Sequence, residues 1–291
     1  MAYSTRAKNA INTLLKPVRL QVNTTLLEEL ESARLRALQE RRHWSAPRYN
    51  QAIAFDDARH LAFLSEICAG SREGYRALAQ EPNGDGDGFY LRNGWFGGID
   101  AEVLYSVVRH FRPQRIIEVG SGFSTRLIRK AIQDGGLSTK LTCIDPCPRR
   151  SIQNYADEHI ASRVEALPAS RLVEQVGEND ILFIDSSHKI EPGGDVPFLF
   201  LEVLPQLRSN VLIHVHDIFL PFDYSEEIIV DFRWNWTEQY MVHAFLVYNQ
   251  AFEILWPASY MWARQKPAIL KTIPSDLTIT PPSSLWLKKV Q

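Results

Sequence analysis

The sequence is poor in several things, and each shortage excludes a class of protein. It has three cysteines, Cys68, Cys143 and Cys147. That is too few for a disulfide framework, and Cys143 and Cys147 lack the spacing and the Cys/His partners of a zinc knuckle. They read as thiols of a reducing compartment, so the expected location is cytoplasmic. No run reaches the ~20 apolar residues that span a bilayer. The opening "MAYSTRAKNAINTLLKPVRL" lacks the long apolar core of a signal peptide. Neither sign of charge is in excess: 32 Lys and Arg face 34 Asp and Glu, for a formal net charge of -2. No bulk field therefore invites nucleic acid or a membrane surface, and neither is expected as a partner. Internal repeats and low-complexity tracts are not evident.

What is present is core-forming material. Of 291 residues, 45% are hydrophobic, enough for one large domain or a domain with an appendage. Residues 1–95 read as a helical extension. "NTTLLEELESARLRALQERR" is a charged amphipathic helix opened by a Thr25/Glu28 capping box. "FDDARHLAFLSEICAGSREGYRALAQ" is a second helical stretch weakened at Gly70, and "EPNGDGDGFY" breaks it. The "NGDGDG" block lacks the spacing and terminal Glu of a calcium loop. The Leu-rich faces of these helices are too small for a core of their own, so they are expected to pack on the main domain, cover its pocket or join two copies as a homodimer.

From about residue 96 to 265 short apolar runs alternate with helical stretches. Strands are expected at "RIIEV", "KLTCID", "SRVEAL", "DILFID", "NVLIHVHD" and "AFEILWP". Helices are expected at "DAEVLYSVVRHF", "STRLIRKAIQDG", "RRSIQNYADEHI", "ASRLVEQVG", "VPFLFLEVLPQL" and "TEQYMVHAFLVYN". This alternation predicts an α/β fold with right-handed crossovers and a largely parallel sheet. Residues 266–291, rich in Pro and Ser, read as a loose C-terminal tail.

"RIIEVGSGFSTRLI" is the most informative stretch. In an open parallel sheet, ligands sit at the carboxyl ends of the strands near the switch in strand order. Gly120 and Gly122 follow the strand directly, and the next helix offers its N-terminus. A dinucleotide fingerprint would place a third glycine where Thr125 stands. Glu118, two residues before the first glycine, would repel a pyrophosphate and suit a cationic ligand bearing an amine and a sulfonium. Asp145, ending "LTCID", stands where an acid can hold both ribose hydroxyls. The cofactor these residues suggest is S-adenosylmethionine.

"EVGSGFSTRL", "CIDPCP", "ILFIDSSH", "VLIHVHDIF" and "EQYMVHAFL", in this order, resemble the class I S-adenosylmethionine-dependent methyltransferases of the bacterial group called methyltransferase family 24, over about residues 90 to 260. The resemblance implies a Rossmann-like, seven-stranded, mostly parallel sheet in the order 3-2-1-4-5-7-6. It implies that Glu118, Gly120, Ser121, Gly122 and Ser124 line the methionine end of the cofactor, with Asp185 nearby. Asp145 would hold the ribose, and Ala166 would lie at the adenine pocket with Glu165 and Leu167.

Methyl transfer needs an acceptor held in line and made nucleophilic. The candidates follow the fourth and fifth strands: Asp185 and His188 in "DSSH", and His214, His216 and Asp217 in "HVHD". His188 reads as the general base, with substrate contact and structural hydrogen bonding as its other roles. Asp185 and Asp217 resemble in position the metal-binding acids of catechol-type O-methyltransferases, which suggests a magnesium or manganese site, with His216 as an unusual third ligand. Where such enzymes carry an acid followed by an amide, this chain has Asp217–Ile218, so a metal-free site stays open. His214 reads as a satisfied core histidine. Phe219, Phe222, Tyr224, Trp234 and Trp236 suit an acceptor wall or core packing equally. The expected activity is O-methylation of a small-molecule or sugar-like metabolite. The rival readings are a metal-dependent oxygenase or hydroxylase on the same scaffold and a non-catalytic cofactor-binding protein.

Overall fold

The computed structural model describes residues 2–19, 21–22, 26–49, 52–82, 84, 87–273 and 281–291. Thr25 of the expected capping box lies outside them, as do Asn83, Asp85 and Gly86 of the "NGDGDG" block. The chain divides into two units, Met1–Ala46 and Pro47–Gln291. The first holds α1 (Ala2–Leu15) and α2 (Leu26–Glu40). The Asn12 side chain ties their connection by donating to the Val22 carbonyl and accepting from the Val22 N–H. The boundary at 46 corrects the expected one at 95. Residues 47–95 belong with the second unit, where Leu64, Ile67, Tyr75 and Leu91 are part of its buried core.

In the second unit, α3 (Asp57–Cys68) and α4 (Arg72–Arg76) flank the break at Gly70, and α5 (Gly98–Phe111) leads into the sheet. The alternation that follows is β1 (Arg115–Val119), α6 (Phe123–Asp134), β2 (Lys140–Ile144), β3 (Glu158–Ile160), α7 (Ala169–Val173), β4 (Ile181–Ile184), α8 (Asp195–Phe198), β5 (Leu212–Val215), α9 (Glu238–Leu246), β6 (Phe252–Pro257), α10 (Ala258–Thr272) and β7 (Leu285–Lys289). The seven strands form one sheet in the order β3-β2-β1-β4-β5-β7-β6. β1 to β5 pair in parallel, and β7 runs antiparallel to both β5 and β6.

The strands are short and apolar because helices cover both faces of the sheet. Ile116 and Phe183 belong to the core on one face, with Leu104 of α5, Leu127 of α6 and Met261 of α10. Ile117, Leu182 and Ile184 belong to the opposite core, with Leu172, Val196 and Val242. Each such side chain, fully buried, contributes about 1.5–3 kcal/mol.

Two expectations need correction. Residues 149–160 do not form a helix: turns lead into the three-residue edge strand β3, and the segment expected as strand "SRVEAL" is a 3-10 turn at Val164–Ala166. The stretch is polar and β3 pairs on one side only, so it carries little hydrophobic periodicity. The loose tail is also overturned. Residues 258–272 are helical, and residues 285–289 are an inner strand with Trp286 and Leu287 fully buried.

Candidate active site

Strand order reverses between β1 and β4, so the crevice expected to take a ligand opens at their carboxyl ends. The strand ends are tied in sequence: Gly120 N–H donates to Ile144 O at 3.0 Å, Asp185 N–H to Val119 O at 2.9 Å, and His216 N–H to Ile184 O at 3.0 Å. Gly120 sits at φ +85°, and a Cβ there would lie 1.8 Å from the Asp185 carbonyl oxygen, so only glycine fits where β1 meets β4. A Cβ on Gly122 would meet open space. Ser121 Oγ donates to Asp145 Oδ2 at 2.6 Å, which brings the glycine turn and the end of β2 together. The Cys147 N–H fixes the other oxygen, Asp145 Oδ1, at 2.8 Å. Ala166, on the 3-10 turn after β3, is exposed.

Glu118 and Ser124 have a different place from the one expected. Glu118 is fully buried, and its carboxylate accepts from Ser124 Oγ and Thr125 Oγ1, each at 2.6 Å, and from Cys143 Sγ at 3.1 Å. Thr125 Oγ1 in turn accepts from the Gly122 N–H at 3.0 Å. The acid therefore braces the glycine turn and the first turn of α6 from beneath rather than lining the crevice. Thr125 and Cys143 are residues the sequence reading missed. The signal was available, since Thr125 replaces the third glycine and Cys143 pairs with Glu118 in register.

Burial pushes the Glu118 carboxyl up to about 7, against donors that favour its charged form. An acid raised in the folded state keeps its proton where the unfolded chain has lost it. Stability is then fully present below about pH 4.5 and is lost as pH rises to about 7. At roughly 1.4 kcal/mol per pH unit this amounts to about 3 kcal/mol. Glu118→Gln should remove this component, so the stability difference between wild type and variant, read by urea denaturation from pH 4.5 to 7.5, should change with pH by about that much. Parallel curves would show that Glu118 does not carry the proton.

The second group of residues gathers beyond β4 and β5. Asp185, His188 and Asp217 each offer a donor atom, all within 4.8 Å of one another. His188 Nε2 lies 3.3 Å from Asp185 Oδ1 and 3.6 Å from Asp217 Oδ2, and its Nδ1 lies 2.9 Å from Glu238 Oε2. His188 and Asp217 both have left-handed backbones, at φ +59° and +55°, a conformation that clusters at functional sites. The turn is also fixed to α9: Thr237 and Glu238 N–H groups donate to the His188 carbonyl, and Ile190 N–H donates to Thr237 Oγ1. Glu238 is fully buried and was not foreseen, because it belongs to a helix 50 residues away in sequence.

Burial alone would lower the His188 pKa, but hydrogen bonds to Asp185 and Glu238, with their charges, hold it well above its usual value. Burial would likewise raise Asp185, yet the His188 hydrogen bond and the nearby histidine charges bring it to about 2. An imidazole already protonated and bonded at both nitrogens cannot accept a proton, so this geometry does not favour His188 as general base.

His216 is not drawn into the cluster as expected. Its Nε2 is 3.9 Å from Asp217 Oδ1, and its ring packs on Phe96, with centroids 4.9 Å apart. The left-handed turn at position 188 brings His188 there instead. His214 is in the core as expected but not satisfied by hydrogen bonds: neither ring nitrogen has a partner among the described residues. Its ring stacks on Phe183 at 4.0 Å and 7°, and burial pulls its pKa well down, keeping it neutral. Of the aromatics, Trp236 reaches the cluster, with its ring 4.5 Å from that of His188, whereas Tyr224 is fully buried behind it.

Residues 117–218, which carry the glycine turn, Asp145 and the trio Asp185, His188 and Asp217, match the family model described as a methyltransferase domain. That stretch of the chain is similar to a methyltransferase domain. An uncharacterised protein of Archaeoglobus fulgidus is 33% identical over 79 residues, which cover 25% of this chain and 35% of that protein. The match thus spans about a third of that relative's length. Among solved structures, the domain is similar to an O-methyltransferase from Bacillus cereus in complex with SAH, at 14% identity over 79% of this chain and 91% of that one, TM-score 0.41. It is also similar to the SAH-bound methyltransferase PaMTH1 of Podospora anserina, at 14% identity over 94% and 98%, TM-score 0.42. Among the described residues, no helix is long and apolar enough to cross a membrane.

Proposed function

We propose that the protein transfers a methyl group from S-adenosylmethionine to a hydroxyl oxygen of a small-molecule acceptor. The observation that carries this reading is the convergence of Asp185, His188 and Asp217 at the carboxyl edge, beside the glycine turn. The residues present fit the donor. Gly122 leaves open space at the turn, α6 presents its N-terminus there, and Asp145 stands at the end of the adjacent strand as a hydrogen-bond acceptor. When bound, S-adenosylmethionine supplies an electrophilic methyl on a sulfonium, so the chain need only orient the acceptor and help remove its proton. Trp236 would form one wall for the acceptor.

The same cluster fits a divalent cation. Three carboxylates, Asp185, Asp217 and Glu238, surround a single fixed imidazole ring. Asp185, His188 and Asp217 would hold the ion, which would supply Lewis acidity that lowers the pKa of a nearby hydroxyl. In this reading His188 would be a ligand rather than the base, and its Nε2 proton would be released to solvent as the ion binds.

The test is a screen of hydroxyl-bearing acceptors, phenols and sugars included, with methyl-labelled donor. Label should appear on an acceptor oxygen, and Asp145→Ala should weaken donor binding by about 1–3 kcal/mol, the usual worth of hydrogen bonds to a charged group. Oxygen consumption without label transfer would instead establish an oxygenase.

A further inference from the structure

Two residues outside the cluster set its geometry. Glu238 Oε2 lies 2.9 Å from His188 Nδ1, which makes Nδ1 the nitrogen bonded to Glu238 and leaves Nε2 as the one that faces Asp185 and Asp217. The backbone bonds from Thr237 and Glu238 to the His188 carbonyl keep the ring from swinging away. On the other side, Ser283 Oγ donates to Asp217 Oδ1 at 3.0 Å, leaving Oδ2 toward His188. Ser283 is itself fixed: its N–H donates to Asp100 Oδ2 at 2.8 Å, and its carbonyl accepts from the Ile218 N–H at 2.8 Å. Outer partners of this kind orient metal ligands and set their basicity.

We propose that Glu238 and Ser283 are positioning residues that make Asp185, His188 and Asp217 a one-imidazole, two-carboxylate site selective for Mn²⁺ or Fe²⁺ over Mg²⁺. The proposal rests on the reading that this cluster binds a divalent cation. Magnesium keeps oxygen ligands and several waters, whereas an imidazole nitrogen favours later first-row ions. A third ligand that is nitrogen rather than oxygen therefore shifts the preference, and Glu238 secures that nitrogen by holding Nδ1 and so aiming Nε2 at the two acids.

The experiment is a titration of the full chain with Mn²⁺, followed by electron paramagnetic resonance with Mg²⁺ as competitor. Nitrogen modulation of the spin echo of bound Mn²⁺ reads the imidazole directly. The expected result is one Mn²⁺ per chain with nitrogen coupling, displaced only by Mg²⁺ in more than about tenfold excess. His188→Asn should abolish the coupling and shrink the preference for Mn²⁺. Glu238→Gln should weaken Mn²⁺ binding by about 10–100-fold, and Ser283→Ala should act in the same direction. Binding of S-adenosylhomocysteine serves as the check that each variant is folded, and Ser283→Ala keeps the question open to an answer if Glu238→Gln unfolds. Bound Mn²⁺ without nitrogen coupling, or affinity indifferent to the outer-residue changes, would overturn this inference while leaving the cation reading. A protein that binds S-adenosylhomocysteine but neither Mn²⁺ nor Mg²⁺ would overturn both.

Discussion

Replacing Trp286 with alanine is expected to remove about 3–5 kcal/mol of stability, the usual cost of deleting a large aromatic from a core. The total stability of a domain is about 5–15 kcal/mol, so this one change should bring the protein close to unfolding. Trp286 is fully buried in β7, the strand that joins β5 to β6. Its ring meets the His214 ring edge-on at 4.8 Å, and its flanking residues pair with Val215 and Ile213 of β5. Trp286→Phe should cost much less, because most of the volume stays. Urea denaturation of the two variants gives the comparison, and a Trp286→Ala protein as stable as wild type would mean that the C-terminal strand is dispensable.

The second large effect is on turnover. Asp185→Asn and Asp217→Asn should each lower methyl transfer by roughly 10²–10⁴-fold, the range for losing a group that handles the proton or the developing charge. Affinity for S-adenosylhomocysteine should survive both changes, since Asp145 and the glycine turn are untouched. Asp185 is the more exposed to indirect damage because its backbone also closes on Gly120, so Asp217→Asn is the cleaner comparison. Loss of donor binding together with turnover would place these acids in the donor pocket. Unchanged turnover in both would leave the cluster structural.

The reach of the sequence can be judged residue by residue. β1, β2, β4 and β5 were legible because each is a compact apolar run ended by a polar turn, as buried parallel strands require. The glycine turn, Asp145 and the pair Asp185/Asp217 were legible because they follow those strands directly. β7 was hidden by its setting: a five-residue strand after a Pro- and Ser-rich stretch offers few cues, although "LWL" is the continuous apolar run of a strand buried on both faces. The surroundings of Glu118 were not legible, because sequence shows an acid beside glycines but not that Ser124, Thr125 and Cys143 close over it. That His188 rather than His216 stands closest to Asp185 and Asp217 goes with a left-handed backbone at His188 that no pattern of residue types encodes. Glu238 was out of reach for a third reason, since its partnership depends on the docking of α9 against the turn after β4.

Calorimetric titration of the full chain with S-adenosylmethionine, with NAD as the comparison ligand, tests the central claim most directly. The account predicts saturable binding of one S-adenosylmethionine per chain, weakened by Asp145→Ala, and no heat from NAD. Tight binding of NAD with no response to S-adenosylmethionine would contradict it.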